Sequence, residues 1–331
     1  MNVRLSIGTA AVLGLASLKS DADPTTAYIM DEGGRCLRSC AFCSQARNAK
    51  CGDDKLSRVI WPLFPLDEVL PLLRRAEEDK KLIRACIQVP MNRGSYERTL
   101  TLTEKISSET GLSISVSTNI QKIDQVQELM NRGAARVSIA MDAATEDIHR
   151  TVKGGSFNGK IELITQATAL FPRRISTHVI VGLGESEEEA LKLIGQMIAM
   201  DVTVGLFAFT PLPGTAMAHV PPPPPGTYRR VQIGTWLMKS GHITVDDMSF
   251  SQGRLTSIAM DSQELLDLIG TGAPFRTAGC TGCNRPYYNE SPRRGTMFNY
   301  PRYLSPEEAR TALEETDLEQ IKEVLHEVAI R

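Results

Sequence analysis

From about residue 66 the chain alternates between two hydrophobic periods. Leu66, Val69, Leu70, Leu73 and Ala76 recur at the spacing of a helix with one buried face, and Leu82 to Val89 follows as an apolar run of strand length. A helix over Leu102 to Thr110 stops at Gly111 and gives way to the strand Leu112 to Asn119. Ile123 to Arg132 is a helix stopped by Gly133, with the strand Arg136 to Met141 behind it. Lys160 to Phe171 is helical up to Pro172, and Ile175 to Val181 is a strand. Ser186 then starts a helix with glutamates in its first turn, where the dipole favours them, and the strand Val204 to Phe209 follows. Strands that read as apolar on both faces and alternate with helices predict a parallel sheet covered by helices.

A doubly wound sheet and a closed barrel both satisfy that pattern, and the strand count favours the barrel. One strand near Thr26 to Met30, the five above, and two in the tail around Ile243 to Phe250 and Leu255 to Met260 make eight. The expected fold is therefore α/β, a (β/α) TIM-type barrel, full or nearly full. Residues 1–24 are expected to be an N-terminal helical extension, 25–270 the barrel, and 271–331 a C-terminal extension bearing cysteines and a terminal helix. Pro221 to Pro225 reads as a stiff surface connector. In such barrels the chemistry sits at the carboxyl ends of the strands.

Composition changes this picture little. A formal net charge of -2 over 331 residues gives no sign of a nucleic-acid or membrane partner. Seven cysteines, an odd and unevenly placed set, do not form a disulfide framework, and reduced thiols in a cytoplasmic setting fit better. The apolar run Ile7 to Leu18 after Arg4 has the look of a short secretory signal. It falls short of the ~18 residues of a membrane span, and we read it as a helix capping one end of the domain.

The cysteines carry the chemistry. Cys36, Cys40 and Cys43 form a C-x3-C-x2-C run just after Gly33-Gly34. Thiolates at this spacing in a tight loop can converge on one soft metal centre, and iron–sulfur clusters are the usual occupants of thiolate-only sites. Three ligands leave one iron of a four-iron cluster open. The other readings are a structural zinc site, which needs a fourth ligand and usually pairs two C-x2-C turns, or three unrelated core cysteines. In the tail, Cys280 and Cys283 form a C-x2-C turn, which serves redox dithiols, zinc half-sites and cluster half-sites alike. Once the first three are assigned, Cys51, Cys86, Cys280 and Cys283 remain, and four is the number that a second, closed cluster requires.

Other strand ends add candidates. Ser115, Ser117 and Asn119 are polar at period two within an apolar strand, which favours a lined cavity over a solvated face. Asp142 directly follows Ser138 to Met141, where a carboxylate could accept both hydroxyls of a ribose or cap a helix. Gly182 and Gly184 let the backbone approach a flat ligand closely. Lys160 could receive a carboxylate or simply be solvated, His178 reads as a core histidine, and Tyr287, Tyr288 and Asn289 either line a channel or pack the tail.

The segment from about Thr25 to Thr215 resembles the biotin synthase branch of the radical S-adenosylmethionine (SAM) superfamily. The similarity rests on the cysteine triad with Phe42 before its last member, the Asp142 strand end, Gly182 to Glu185, and Thr210 to Thr215. It implies a [4Fe-4S] cluster whose open iron chelates SAM. It also implies that Asp142 contacts the ribose, Lys160 meets the methionine carboxylate, and Phe42 approaches the adenine. Cys86 matches a ligand cysteine of biotin synthase, whereas the strand-three and strand-five cysteines are missing, replaced near Ser117 and Thr177. Arg4 to Ala10, Leu56 to Val59 and Cys280 to Pro301 are similar to the second component of the split, two-protein lipoyl synthase, which carries a second, auxiliary iron–sulfur cluster, expected to be [4Fe-4S]. That resemblance implies sulfur insertion at C6 or C8 of an octanoyl chain on a carrier protein or lipoyl domain. It further implies a sister subunit and an electron donor such as ferredoxin or flavodoxin.

Overall fold

A computed structural model describes residues 1–290 and 297–330. The chain opens with β1 (Asn2–Leu5) and a short helix, α1 (Ile7–Val12), whose cap Ser6 accepts the Thr9 N–H at 3.2 Å. After β2 (Thr26–Asp31), an irregular loop holds a small ribbon, β3 (Lys55–Leu56) and β4 (Val59–Ile60), followed by β5 (Leu63–Pro65) and α2 (Leu66–Glu78). The predicted alternation then runs through β6 (Arg84–Gln88), α3 (Ser95–Glu109), β7 (Ser113–Ser117), α4 (Ile123–Asn131) and β8 (Ala134–Ser138). After a helix not expected from the sequence, α5 (Glu146–Val152), it continues through α6 (Phe157–Leu170), β9 (Ile175–Val181), α7 (Glu187–Ala199) and β10 (Thr203–Ala208).

One sheet in the order β10-β9-β8-β7-β6-β2-β1-β5 organises the molecule. The six strands from β2 to β10 are parallel, as expected from the intervening helices, while β1 lies antiparallel to both β2 and β5. The fold is thus the expected α/β class with a barrel-like parallel sheet, but two of the eight counted strands lie elsewhere. The tail runs form β11 (Met248–Ser251) and β12 (Arg254–Ile258), a separate antiparallel hairpin. Only Gln252 and Gly253 join them, both at positive φ (49° and 77°). So short a link can make a hairpin but not the crossover that a parallel sheet demands. The opening segment is likewise not only helical: Val3 and Leu5 are fully buried on β1.

Side-chain alternation divides the sheet. Ile29, Ile87, Val116, Val179 and Leu206 point to the covering helices and belong to the main hydrophobic core. Their neighbours one position away, Tyr28, Cys86, Gln88, Ser117, Ser176, His178, Gly205 and Phe207, line the opposite, concave face. The expectation of strands apolar on both faces is corrected accordingly. The concave face encloses a cavity instead of a packed interior, so polar and sulfur-bearing residues are tolerated there.

The last elements are α8 (Pro225–Lys239), α9 (Ser262–Ile269), α10 (Pro306–Glu314) and α11 (Glu319–Ile330). Pro225, the last of the five prolines, is the first residue of α8, where its missing N–H costs nothing. No described helix is long and apolar enough to cross a membrane.

Candidate active site

A cavity of about 320 Å³ opens on the concave face, and six of the seven cysteines line it. Cys36, Cys40 and Cys43 occupy the loop after β2, which is held by its backbone: Cys36 N–H donates to Gln45 O (3.2 Å), Ala41 N–H to Val152 O (2.7 Å) and Cys43 N–H to Cys40 O (3.1 Å). Phe42 lies on the same wall. The Arg35 guanidinium ties the base of the loop to the carbonyls of Ala49 (2.9 Å) and Cys51 (2.6 Å). Burial raises the Cys40 thiol and pushes Cys43 up to about 12, so a metal bound here would have to displace their protons. All seven cysteines are free thiols.

Among the described residues no three His, Cys, Asp or Glu side chains converge tightly enough to hold a single ion. A cluster takes one thiolate per iron, so its ligands need not meet at one point. Three free, half-buried thiols lining one cavity fit such a group.

At the end of β8, Asp142 adopts a left-handed backbone (φ 65°) and bridges to β9: its N–H donates to His178 O and its carbonyl accepts from Ile180 N–H, both at 2.8 Å. Its carboxylate is paired with Lys153, whose Nζ lies 2.5 Å from Oδ2 and also donates to Ala140 O at 2.5 Å. Burial acts to raise the Asp142 carboxyl, but Lys153 and His178 outweigh it, and the group is held below the ordinary carboxylate value. The nearby helix α5 is capped by Thr145, so Asp142 does not serve as its cap. Lys160 lies on α6 in the same field. Burial and the neighbouring Lys153 lower it to about 8, partly offset by Asp142.

The remaining expected residues divide. Ser117 lines the cavity, whereas Asn119 does not. Gly182 and Gly184 have φ of 105° and 124° but also lie outside the lining. A Cβ on Gly182 would come within 2.9 Å of Pro223, while one on Gly184 would meet open space. Their turn is held by Glu185, whose carboxylate accepts from Gly182 N–H (2.5 Å) and Leu183 N–H (3.0 Å). Cys51 is not brought to the cavity: its Sγ donates to Pro213 O at 3.3 Å.

Cys86 on β6 and Cys280 and Cys283 in the tail line the cavity together. Burial, with Cys283 and Cys280 adding, pushes the Cys86 thiol up to about 12. The tail reaches this place by spanning the concave face, with contacts to the start of β2 and to β10. Asn284 accepts from the Thr25 N–H (3.0 Å) and donates to Asp23 O (2.8 Å), fixing the tail to the start of β2. The Arg285 N–H donates to the Tyr28 hydroxyl (2.9 Å), and its guanidinium sits 3.8 Å over the Phe207 ring of β10. Tyr288 packs edge-on against Phe207 and lines the cavity with Asn289; Tyr287 lines a neighbouring hollow instead. Residues 291–296 of the expected Cys280 to Pro301 stretch lie outside the described residues.

Three cavity or near-cavity residues were not singled out from the sequence, Tyr28, Lys153 and Arg285, and His178 was read as a core histidine. His178 carried a readable signal. Ser176, His178 and Ile180 share one face of β9 and pair in register with Thr203, Gly205 and Phe207 of β10, so period-two reading would have set it beside Ser176 on the lining face. Burial lowers its pKa to about 4, leaving it neutral at pH 7. Lys153 and Arg285 had no such signal, since both act across contacts between distant segments.

Residues 33–197 match the model of the Radical SAM superfamily. The chain is 24% identical over 257 residues to the biotin synthase of Synechococcus sp. strain JA-3-3Ab, covering 75% of this chain and 78% of that protein. It is 25% identical over 224 residues to the biotin synthase of Nitratidesulfovibrio vulgaris strain Hildenborough, covering 66% of this chain but only 56% of that relative. Among solved structures, it is similar to HydG, a maturase of the [FeFe]-hydrogenase, with a TM-score of 0.53 and 9% identity over 66% of this chain and 50% of that one. Streptococcus suis SuiB gives a TM-score of 0.50 and 14% identity over 67% and 48% of the two chains. At these identities the structural likenesses bear on the fold alone.

Proposed function

Since this chain carries a radical SAM superfamily domain, we propose that it inserts sulfur into an unactivated carbon chain, the substrate being an octanoyl group tethered to a carrier protein or lipoyl domain. The observation that supports this reading is the meeting of two thiol sets, Cys36, Cys40 and Cys43 on one side and Cys86, Cys280 and Cys283 on the other, at one cavity. In this reading the first set holds a [4Fe-4S] cluster with SAM and the second holds a sulfur-bearing auxiliary cluster. A bound cluster with SAM supplies a carbon radical able to remove a hydrogen that acid–base chemistry cannot touch.

The chain's own residues would do the rest. The Asp142 carboxylate, kept ionised, is suited to accept ribose hydroxyls, and Lys160 to meet the methionine carboxylate. Phe42 offers an apolar surface for the adenine. Trp61, Tyr28, Phe207 and Tyr288 wall the cavity, excluding water and rival hydrogens from a reactive intermediate. Ser117 and Thr177 offer no thiolate at the two positions where the biotin synthase pattern has one, which favours a substrate other than the biotin precursor. Sulfur insertion into a small free acid is the second reading, favoured by the names of the relatives.

In the proposed setting the chain performs one of two thiolation steps beside a sister radical SAM subunit, and takes electrons from ferredoxin or flavodoxin. Anaerobic reconstitution with an octanoylated peptide, SAM and reductant tests the reading. A product heavier by one sulfur in wild type, lost in Cys280→Ala/Cys283→Ala while SAM is still cleaved, is the expected outcome. Thiolated product from the double variant would overturn it.

A further inference from the structure

We propose that Tyr28 and Ser115 are positioning residues that donate hydrogen bonds to the second thiol set and tune the group it holds. This rests on the reading that Cys86, Cys280 and Cys283 carry a sulfur-bearing cluster. The Tyr28 Oη lies 3.2 Å from Cys283 Sγ, and the Ser115 Oγ lies 3.7 Å from Cys280 Sγ. Either contact alone leaves the direction of the proton open. The other partners of each oxygen decide it. Tyr28 Oη accepts the Arg285 N–H at 2.9 Å, and Ser115 Oγ accepts from the Arg84 guanidinium at 2.6 Å. With an acceptor site on each oxygen occupied by a donor that has no acceptor capacity, each hydroxyl has its own proton left to give, and the sulfur is the neighbour in reach.

The arrangement is built by the sheet. Tyr28, Cys86 and Ser115 are register partners across β2, β6 and β7, so both donors flank the strand cysteine on the same face while the tail brings Cys280 and Cys283 against them. The first thiol set is served differently, by backbone N–H groups: Arg38 toward Cys36 at 3.4 Å and Gln45 toward Cys43. Backbone donors come with the loop. The side-chain donors of the second set are separable from its fold.

Hydrogen bonds to cluster sulfurs favour the more negative, reduced state and so raise the reduction potential. Tyr28 and Ser115 therefore make the second group easier to reduce without holding it. The test uses the full-length Cys36→Ser/Cys40→Ser/Cys43→Ser variant, in which only the second group remains, reconstituted anaerobically with iron and sulfide. Its potential is read by spectroelectrochemical titration, alone and with Tyr28→Phe or Ser115→Ala added. The expected result is a downward shift with each substitution and a larger one with both, at unchanged iron content. Deuterium coupling at the reduced group in D2O is expected to weaken in Tyr28→Phe. Unchanged potential and unchanged coupling at full iron content would overturn the proposal. If Tyr28→Phe fails to load iron, the Ser115→Ala titration and the deuterium coupling of the triad variant decide by themselves. If the triad variant binds no iron under any condition, the two-cluster reading itself falls.

Discussion

Lys153 Nζ sits 2.5 Å from Asp142 Oδ2, and the two side chains are only 10% and 13% exposed. The pair joins the end of β8 to the turn after α5 and sets the charge of the strand end that faces the cavity. Removing Lys153 leaves a carboxylate with little access to water, which costs far more than an exposed ion pair is worth. Lys153→Met is expected to lower stability by about 3 kcal/mol in chemical denaturation. The sign with pH follows from the depressed Asp142 carboxyl. Its contribution is present above the unfolded value of about 3.9 and fades as pH falls through the lower folded value. The wild-type advantage over the Asp142→Asn/Lys153→Met protein should therefore shrink in acid.

Lys160 gives a second pH dependence of the same sign at higher pH, stability again rising with pH. Its folded value of about 8 lies below the unfolded 10.5, so the charged side chain costs stability at neutral pH and the cost is relieved as pH rises through that window. Lys160→Met should be more stable than wild type at pH 7 yet bind SAM more weakly. Calorimetric SAM affinity of the wild type, level below pH 8, should fall by up to about tenfold per unit above it, as the ammonium loses its proton. In Lys160→Met the profile should be flat there.

Cys51 separates two cluster counts. Directed at the Pro213 carbonyl and away from the cavity, it should be dispensable: Cys51→Ser is expected to keep about eight iron and eight sulfide per chain. Cys86→Ser should keep about four of each. Loss of half the iron in Cys51→Ser would return Cys51 to the ligand set.

Asn284 is the clamp of the tail, bonded to Thr25 and Asp23 just before β2. Asn284→Ala removes both contacts and should cost about 1–3 kcal/mol. Limited proteolysis should reveal it as faster cleavage within residues 277–290, with the loop of Cys36 to Cys43 unaffected. Equal cleavage rates would mean that Arg285, through Phe207 and Tyr28, suffices to hold the tail.

Apart from the short α5, local pattern alone was enough for the alternation of α2 to β10, because helix and strand periods are set by which face each segment buries. It also put Cys36, Cys40, Cys43 and Asp142 at the strand ends that line the cavity, since their places depend on spacing within one loop or one strand end. The tail strands were misplaced because β11 and β12 have strand-like composition. Only the two-residue link at Gln252-Gly253 decides that they pair with each other. Likewise β1 and β5 were invisible as sheet members: three or four residues carry too little periodicity, and they become strands by pairing beside β2. Cysteine arithmetic put Cys51 with Cys86, Cys280 and Cys283 because counting ignores direction, and the chain turns that thiol toward Pro213. Lys153 beside Asp142, and Tyr28 and Ser115 beside the tail cysteines, belong to the tertiary structure alone. Each joins segments that are distant in sequence or separated by whole helices, and no local propensity records which distant group a side chain will meet once the sheet has curved and the tail has crossed its concave face.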